Sequence, residues 1–207
     1  MQGSRRLVLA HFWAAFAVFA VMIPLGAWQM LVRSPLHRWI DPELYYRAVT
    51  AHGTTLAYIF PTLVAMGFGY AVCAVSLGRP MHGSRLAWAS FWLVIAGATM
   101  AIATVAAGKA TVLYTFYPPL QAHPLFYVGA TLLIIGSWIW GAVIIASIRS
   151  WRKDHPGEAM PLSMHGTLAN IASGTGRPGW SRFQRAKCET IKPIQIHEPA
   201  TAISTPR

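Results

Sequence analysis

Carboxylates are scarce in this sequence. There are six among 207 residues, and charged residues of both signs make up only 11%. A soluble globular domain carries nearer a quarter. Asp41, Glu43, Asp154 and Glu158 fall in loops, and Glu189 and Glu198 fall in the tail. That excludes a carboxylate proton relay inside the apolar segments. Cysteine is rarer still. Cys73 lies in an apolar run and Cys188 in a polar one. They share no motif spacing, so neither a disulfide nor a thiolate metal site is expected, and Cys73 reads as a small apolar packer. Paired histidines, a carboxylate dyad, a glycine-rich phosphate loop and a Ser/His/Asp arrangement are all missing. Nor is a cleavable signal peptide expected: the first apolar run is too long for one and lacks a small-residue cleavage site. It is expected to remain as an anchor.

Apolar residues fill the space, at 55% of the chain. They come in blocks long enough to cross a bilayer, which takes about 20 helical residues. Spans are expected near residues 7–31, 46–77, 86–107 and 125–148. Pro24 and Gly26 interrupt the first span, as is tolerated when neighbours satisfy the freed backbone groups. Asp41-Pro42-Glu43 has the form of a helix start, with Asp as cap and Pro at the first position. A fifth apolar helix begins at Pro161 and stops by Ala172, too short to span. Residues 172–207 are polar, basic and rich in Pro and Thr, and are expected to be disordered or out of frame. The expected fold is therefore all-α: a polytopic transmembrane bundle of four complete spans plus an aborted fifth, occupying residues 1–171.

The net charge of +11 does not indicate nucleic acid, because the basic residues sit at the ends of apolar segments and in the tail. That distribution sets membrane topology. Arg5, Arg6, Arg79, Arg85, Arg149, Arg152 and Lys153 fall on one side, and Arg33, Arg38, Arg47 and Lys109 on the other. The larger group marks the cytoplasmic side, so the N-terminus is expected there. The loop from Lys109 to Pro124 and the start of the second span then face outward.

Within the spans His52 stands out. An ionisable residue in that setting is a functional-site hypothesis by default. Imidazole is an axial ligand for haem iron, Gly53 beside it leaves room for a flat macrocycle, and Thr50, Thr54 and Thr55 are candidates to orient the ring. The plainer reading, a histidine bonded to a neighbouring helix, is equally open on these residues alone. The segment Tyr114-Thr115-Phe116-Tyr117-Pro118-Pro119 reads either as a stiff cap meeting a cofactor edge or as an interfacial aromatic belt. His11, near the start of the first span, is placed at the membrane interface without a role. His37, His82, His123 and His155 lie in loops.

Three segments carry a resemblance to a known family. They are Tyr45-Tyr46 through Thr50-Ala51-His52-Gly53, Ala110-Thr111-Val112-Leu113-Tyr114-Thr115-Phe116-Tyr117-Pro118-Pro119-Leu120, and Phe126-Tyr127-Val128-Gly129-Ala130. Together they resemble the N-terminal part of subunit I of haem–copper terminal oxidases, specifically the ba-type (B-family) cytochrome c oxidases, over about residues 5–171. The resemblance implies that His52 is an axial ligand of the low-spin haem b. It implies that Tyr114 lies by the haem propionate edge and that Tyr117 supports the same loop. It also implies lipid surroundings in a bacterial or archaeal plasma membrane, with a copper-bearing subunit II on the outer face that receives electrons from cytochrome c. The full-length relative reduces oxygen to water and translocates protons. The family's high-spin haem and copper have no ligands in these residues. The pattern is left at about Ala172, which reads as a frameshift, a misannotated gene end or a pseudogene, and the chain alone is not expected to reduce oxygen. A nitric oxide reductase large subunit and a haem-free four-helix membrane protein are the competing readings.

Overall fold

The computed structural model describes residues 2–35, 41–113 and 121–174. These form six α-helices: α1 (Gln2–Val32), α2 (Pro42–Thr54), α3 (Phe60–Ser76), α4 (Ser84–Ala106), α5 (Pro124–Asp154) and α6 (Leu162–Gly174). A π-helical turn, Thr55–Ile59, joins α2 to α3. Among the described residues there is no strand, only an isolated antiparallel bridge between Ala110 and Ala122. Among the described residues, four helical segments are long and apolar enough to cross a membrane: Gln2–Val32, Pro42–Ser76, Ser84–Ala106 and Pro124–Asp154.

Local chemistry explains the ends and the joint. Asp41 caps α2, its carboxylate accepting the Glu43 N–H at 3.1 Å with Pro42 in the first turn, so a donor left over at the helix start is satisfied. α5 runs on past its apolar stretch to Asp154, with Arg152 and Lys153 in its last turn, where cations favour the helix dipole. The π turn has a cause in Pro61. Lacking an N–H, Pro61 cannot bond the carbonyl four residues back, and the Phe60 N–H reaches five back to the Thr55 carbonyl. The second span is therefore one helical segment, Pro42–Ser76, with a π turn beginning one turn past His52.

Residues 1–168 form one compact unit, and of the second, 169–207, the described part is the end of α6. In the first unit α1 packs along α2 and α3, and α4 packs along α5. The α4–α5 contact brings backbones together. A Cβ on Gly97 would stand 2.5 Å from the Gly129 carbonyl oxygen, and one on Gly129 2.6 Å from that of Gly97. Such small-residue contacts let membrane helices gain packing that water does not drive.

Polar ties cross the interior. Tyr70 OH donates to Ser90 Oγ at 2.9 Å, since the Ser90 hydroxyl itself donates to the Ala87 carbonyl. Trp140 Nε1–H donates to the Met66 carbonyl at 3.1 Å. His11, near the start of α1, faces this interior. It is fully buried, it donates from Nδ1 to the Leu7 carbonyl at 2.8 Å, and its ring meets Tyr70 and Phe91 edge-on. At the same end of the bundle, Arg79 pairs with Asp154 and donates to Ser150, and the His82 N–H donates to Ser147. The α3–α4 turn is thereby fastened to the end of α5. The outward faces are apolar: Trp13, Trp92 and Trp138 are all more than half exposed, as suits contact with lipid or with further helices.

Candidate functional site

α1, with Arg33 just past its end, runs antiparallel to α2 and the start of α3 in a ladder of contacts. Phe19 stacks on Phe60 with ring centroids 4.9 Å apart. Gln29 Nε2 donates to the Ala48 carbonyl at 3.2 Å. Arg33 donates from Nε to the Tyr45 hydroxyl at 2.6 Å, its guanidinium carbon 5.7 Å from that ring's centre. His52 is a rung of this ladder. Its half-buried imidazole lies against α1, where Nδ1–H donates to the Met22 carbonyl at 3.0 Å.

The ring fits there because position 26 is glycine. A Cβ on Gly26 would stand 2.5 Å from His52 Cε1 and 3.1 Å from each ring nitrogen. Gly26 and the Met22 carbonyl are the site residues that sequence reasoning missed. Gly26 was visible only as a helix breaker, and a backbone carbonyl leaves no sequence signal at all.

None of the three threonines named as candidates to orient the ring bonds to it. Thr50 donates to the Tyr46 carbonyl at 2.8 Å and Thr54 to the Thr50 carbonyl at 2.6 Å. These are back-bonds within their own helix, which helical Ser and Thr readily form. Thr55, at the start of the π turn, is fully buried with its hydroxyl unpartnered.

On the far side of α2 lies the loop between α4 and α5. The Thr111 N–H donates to the Gln121 carbonyl at 3.2 Å and the His123 N–H to the Lys109 carbonyl at 2.8 Å, which closes the loop's base. Val112 and Ala110 are buried with Val105 and Phe126, and Ala51 packs against this cluster. Arg47 pairs with Glu43 at 2.9 Å and lays its guanidinium where Gly108 has no side chain. Leu113 ends the described part of the loop with φ of 57°, a left-handed conformation that costs an L-residue about 1–2 kcal/mol. Tyr114 and Tyr117 lie outside the described residues.

The arrangement thus offers a single imidazole. Its Nδ1 is committed to a carbonyl, which leaves Nε2 with its lone pair, the state in which a histidine coordinates a metal. Among the described residues no three His, Cys, Asp or Glu side chains converge.

The sequence model of cytochrome c and quinol oxidase polypeptide I matches residues 6–175. The chain belongs to that family. Its relatives include cytochrome c oxidase subunit 1 of Thermus thermophilus, 37% identical over 121 residues, covering 58% of this chain and 21% of the relative. The probable cytochrome c oxidase subunit 1-beta of Nocardia farcinica is 35% identical over 124 residues, covering 56% of this chain and 21% of the relative. A haem–copper terminal oxidase dimer determined by cryo-EM superposes with a TM-score of 0.75 at 32% identity, over 81% of this chain and 29% of that one. The four spans therefore have the fold of the N-terminal region of an oxidase subunit I. The chain spans about a fifth of the length of these two subunit 1 relatives.

Proposed function

We propose that this chain supplies the low-spin haem side of subunit I of a ba-type cytochrome c oxidase, with His52 as an axial ligand of haem b iron. The observation that carries this reading is the seat of His52: a ring pinned through Nδ1 to Met22, with Nε2 uncommitted, in a space that a side chain at position 26 would fill. Such a pin fixes the tautomer and raises the basicity of the coordinating nitrogen. The bound haem would supply one-electron transfer. The chain's residues hold and orient it: α1 presents the carbonyl and the cleared space, α2 presents the imidazole, and the apolar spans keep water away. By family resemblance Tyr114 and Tyr117 belong to the outer cap, and a copper-bearing subunit II and cytochrome c are the partners on that face. The complete enzyme of this reading reduces oxygen to water and translocates protons in a bacterial or archaeal plasma membrane, with the chain's N-terminus in the cytoplasm.

The test is a reduced-minus-oxidised absorption spectrum of membranes holding the chain, native and with His52→Ala. A b-type signal that disappears in the variant is expected. A signal that His52→Ala leaves intact, or no haem in the native chain even with haem supplied in excess, overturns the reading and leaves His52 as a packing residue bonded to α1.

A further inference from the structure

Thr50 and His52 are two residues apart, about 200° around a helix, so their side chains leave α2 on opposite faces. His52 goes to α1. Thr50 goes to the α4–α5 loop, where it is completely buried. Its hydroxyl is used twice: it donates to the Tyr46 carbonyl at 2.8 Å and accepts the Leu113 N–H at 3.1 Å. Leu113 is the one non-glycine among the described residues with positive φ. A strained backbone persists only where its surroundings hold it. Here Val112 and Ala110 hold the preceding residues in a buried cluster with Val105 and Phe126, so residues 110–113 are a fixed point and not a passive cover.

From this geometry we infer that Thr50 is a positioning residue for His52, acting by fixing the roll of α2 about its own axis. This rests on the haem reading of His52. A helix bonded on one face can roll about that contact. α2 is bonded on two, by Met22 to His52 and Gln29 to Ala48 toward α1, and by Thr50 to Leu113 toward the loop. Side-chain tips lie about 5–6 Å from a helix axis, so a roll of about 10° carries Nε2 through about 1 Å. Metal–ligand distances are specified to about 0.2 Å, and a roll of that size is enough to spoil coordination. The same linkage makes the outer loop and the ligand one mechanical unit: whatever shifts residues 108–113 turns His52.

The test uses the full chain in lipid, read by solid-state NMR of the His52 ring nitrogens together with amide exchange at Leu113, with and without added haem. In the native chain the Leu113 amide is expected to be protected, and an amide that exchanges like an open loop overturns the inference without any variant. Thr50→Val keeps the volume and removes the hydroxyl. It is expected to speed Leu113 exchange about tenfold, to shift the His52 Nδ1 resonance away from its bonded position, and to change the haem midpoint potential. Thr50→Ser should restore all three. Leu113→Gly keeps the N–H and suits the left-handed backbone, so it should leave His52 as in the native chain. Faster Leu113 exchange in Thr50→Val with unchanged His52 resonances overturns the inference while leaving the haem reading standing. Loss of the haem reading through His52→Ala does not touch the NMR result, so the two failures are distinguishable.

Discussion

At the scale of single residues, the site depends on what position 26 lacks. Any side chain there meets the His52 ring, since even a Cβ would stand 2.5 Å from Cε1. The ring would have to swing off the Met22 carbonyl, losing a half-buried hydrogen bond worth about 1 kcal/mol. Gly26→Ala is therefore expected to lower stability by about 1–2 kcal/mol in denaturant titration and, on the proposed reading, to weaken haem retention in the same membranes. His52 stood out in the sequence because an ionisable side chain in an apolar run is rare. Its partners did not. Thr50 and Thr54 looked like neighbours of the ring because they are near in sequence, but residues two apart in a helix lie on opposite faces, and both spend their hydroxyls on carbonyls of their own helix.

At the scale of elements, the spans were readable and the joints between them less so. Runs of apolar residues report helices that cross a membrane because hydrocarbon leaves the backbone no other partner. The π turn at Thr55–Ile59 follows from a missing proline N–H, yet proline inside a span also permits a simple kink, so composition alone does not choose. Packing between spans rests on close approach at Gly97 and Gly129. The two nearest atoms opposing an added Cβ at each are backbone, which cannot rotate away. Gly129→Leu is expected to cost about 2–4 kcal/mol by forcing α4 and α5 apart, measured as a loss of thermal stability in detergent. Gly166, which has nothing within 4 Å of its Cβ position, should accept alanine with little change.

At the scale of the whole molecule, the ends of the bundle differ in charge. The end holding the start of α1 and the close of α5 carries Arg5, Arg6, Arg79, Arg85, Arg149, Arg152 and Lys153. Basic residues in short loops favour the cytoplasmic side. With Cys73 and Cys188 replaced by serine, a membrane-impermeant thiol reagent applied to intact cells should label Lys109→Cys and spare Arg152→Cys. The reverse pattern overturns the proposed orientation. The sequence by itself determined the class of this protein, an all-α membrane bundle with one conspicuous imidazole. Hydrophobic runs, terminal charges and proline caps are local signals that physics reads one segment at a time. Only the tertiary structure decided what that imidazole touches. The Met22 carbonyl and the Gly26 space come from another helix, and the Thr50–Leu113 bond joins residues 63 apart in the chain. Contacts of that kind depend on how helices meet, which no single stretch of residues records.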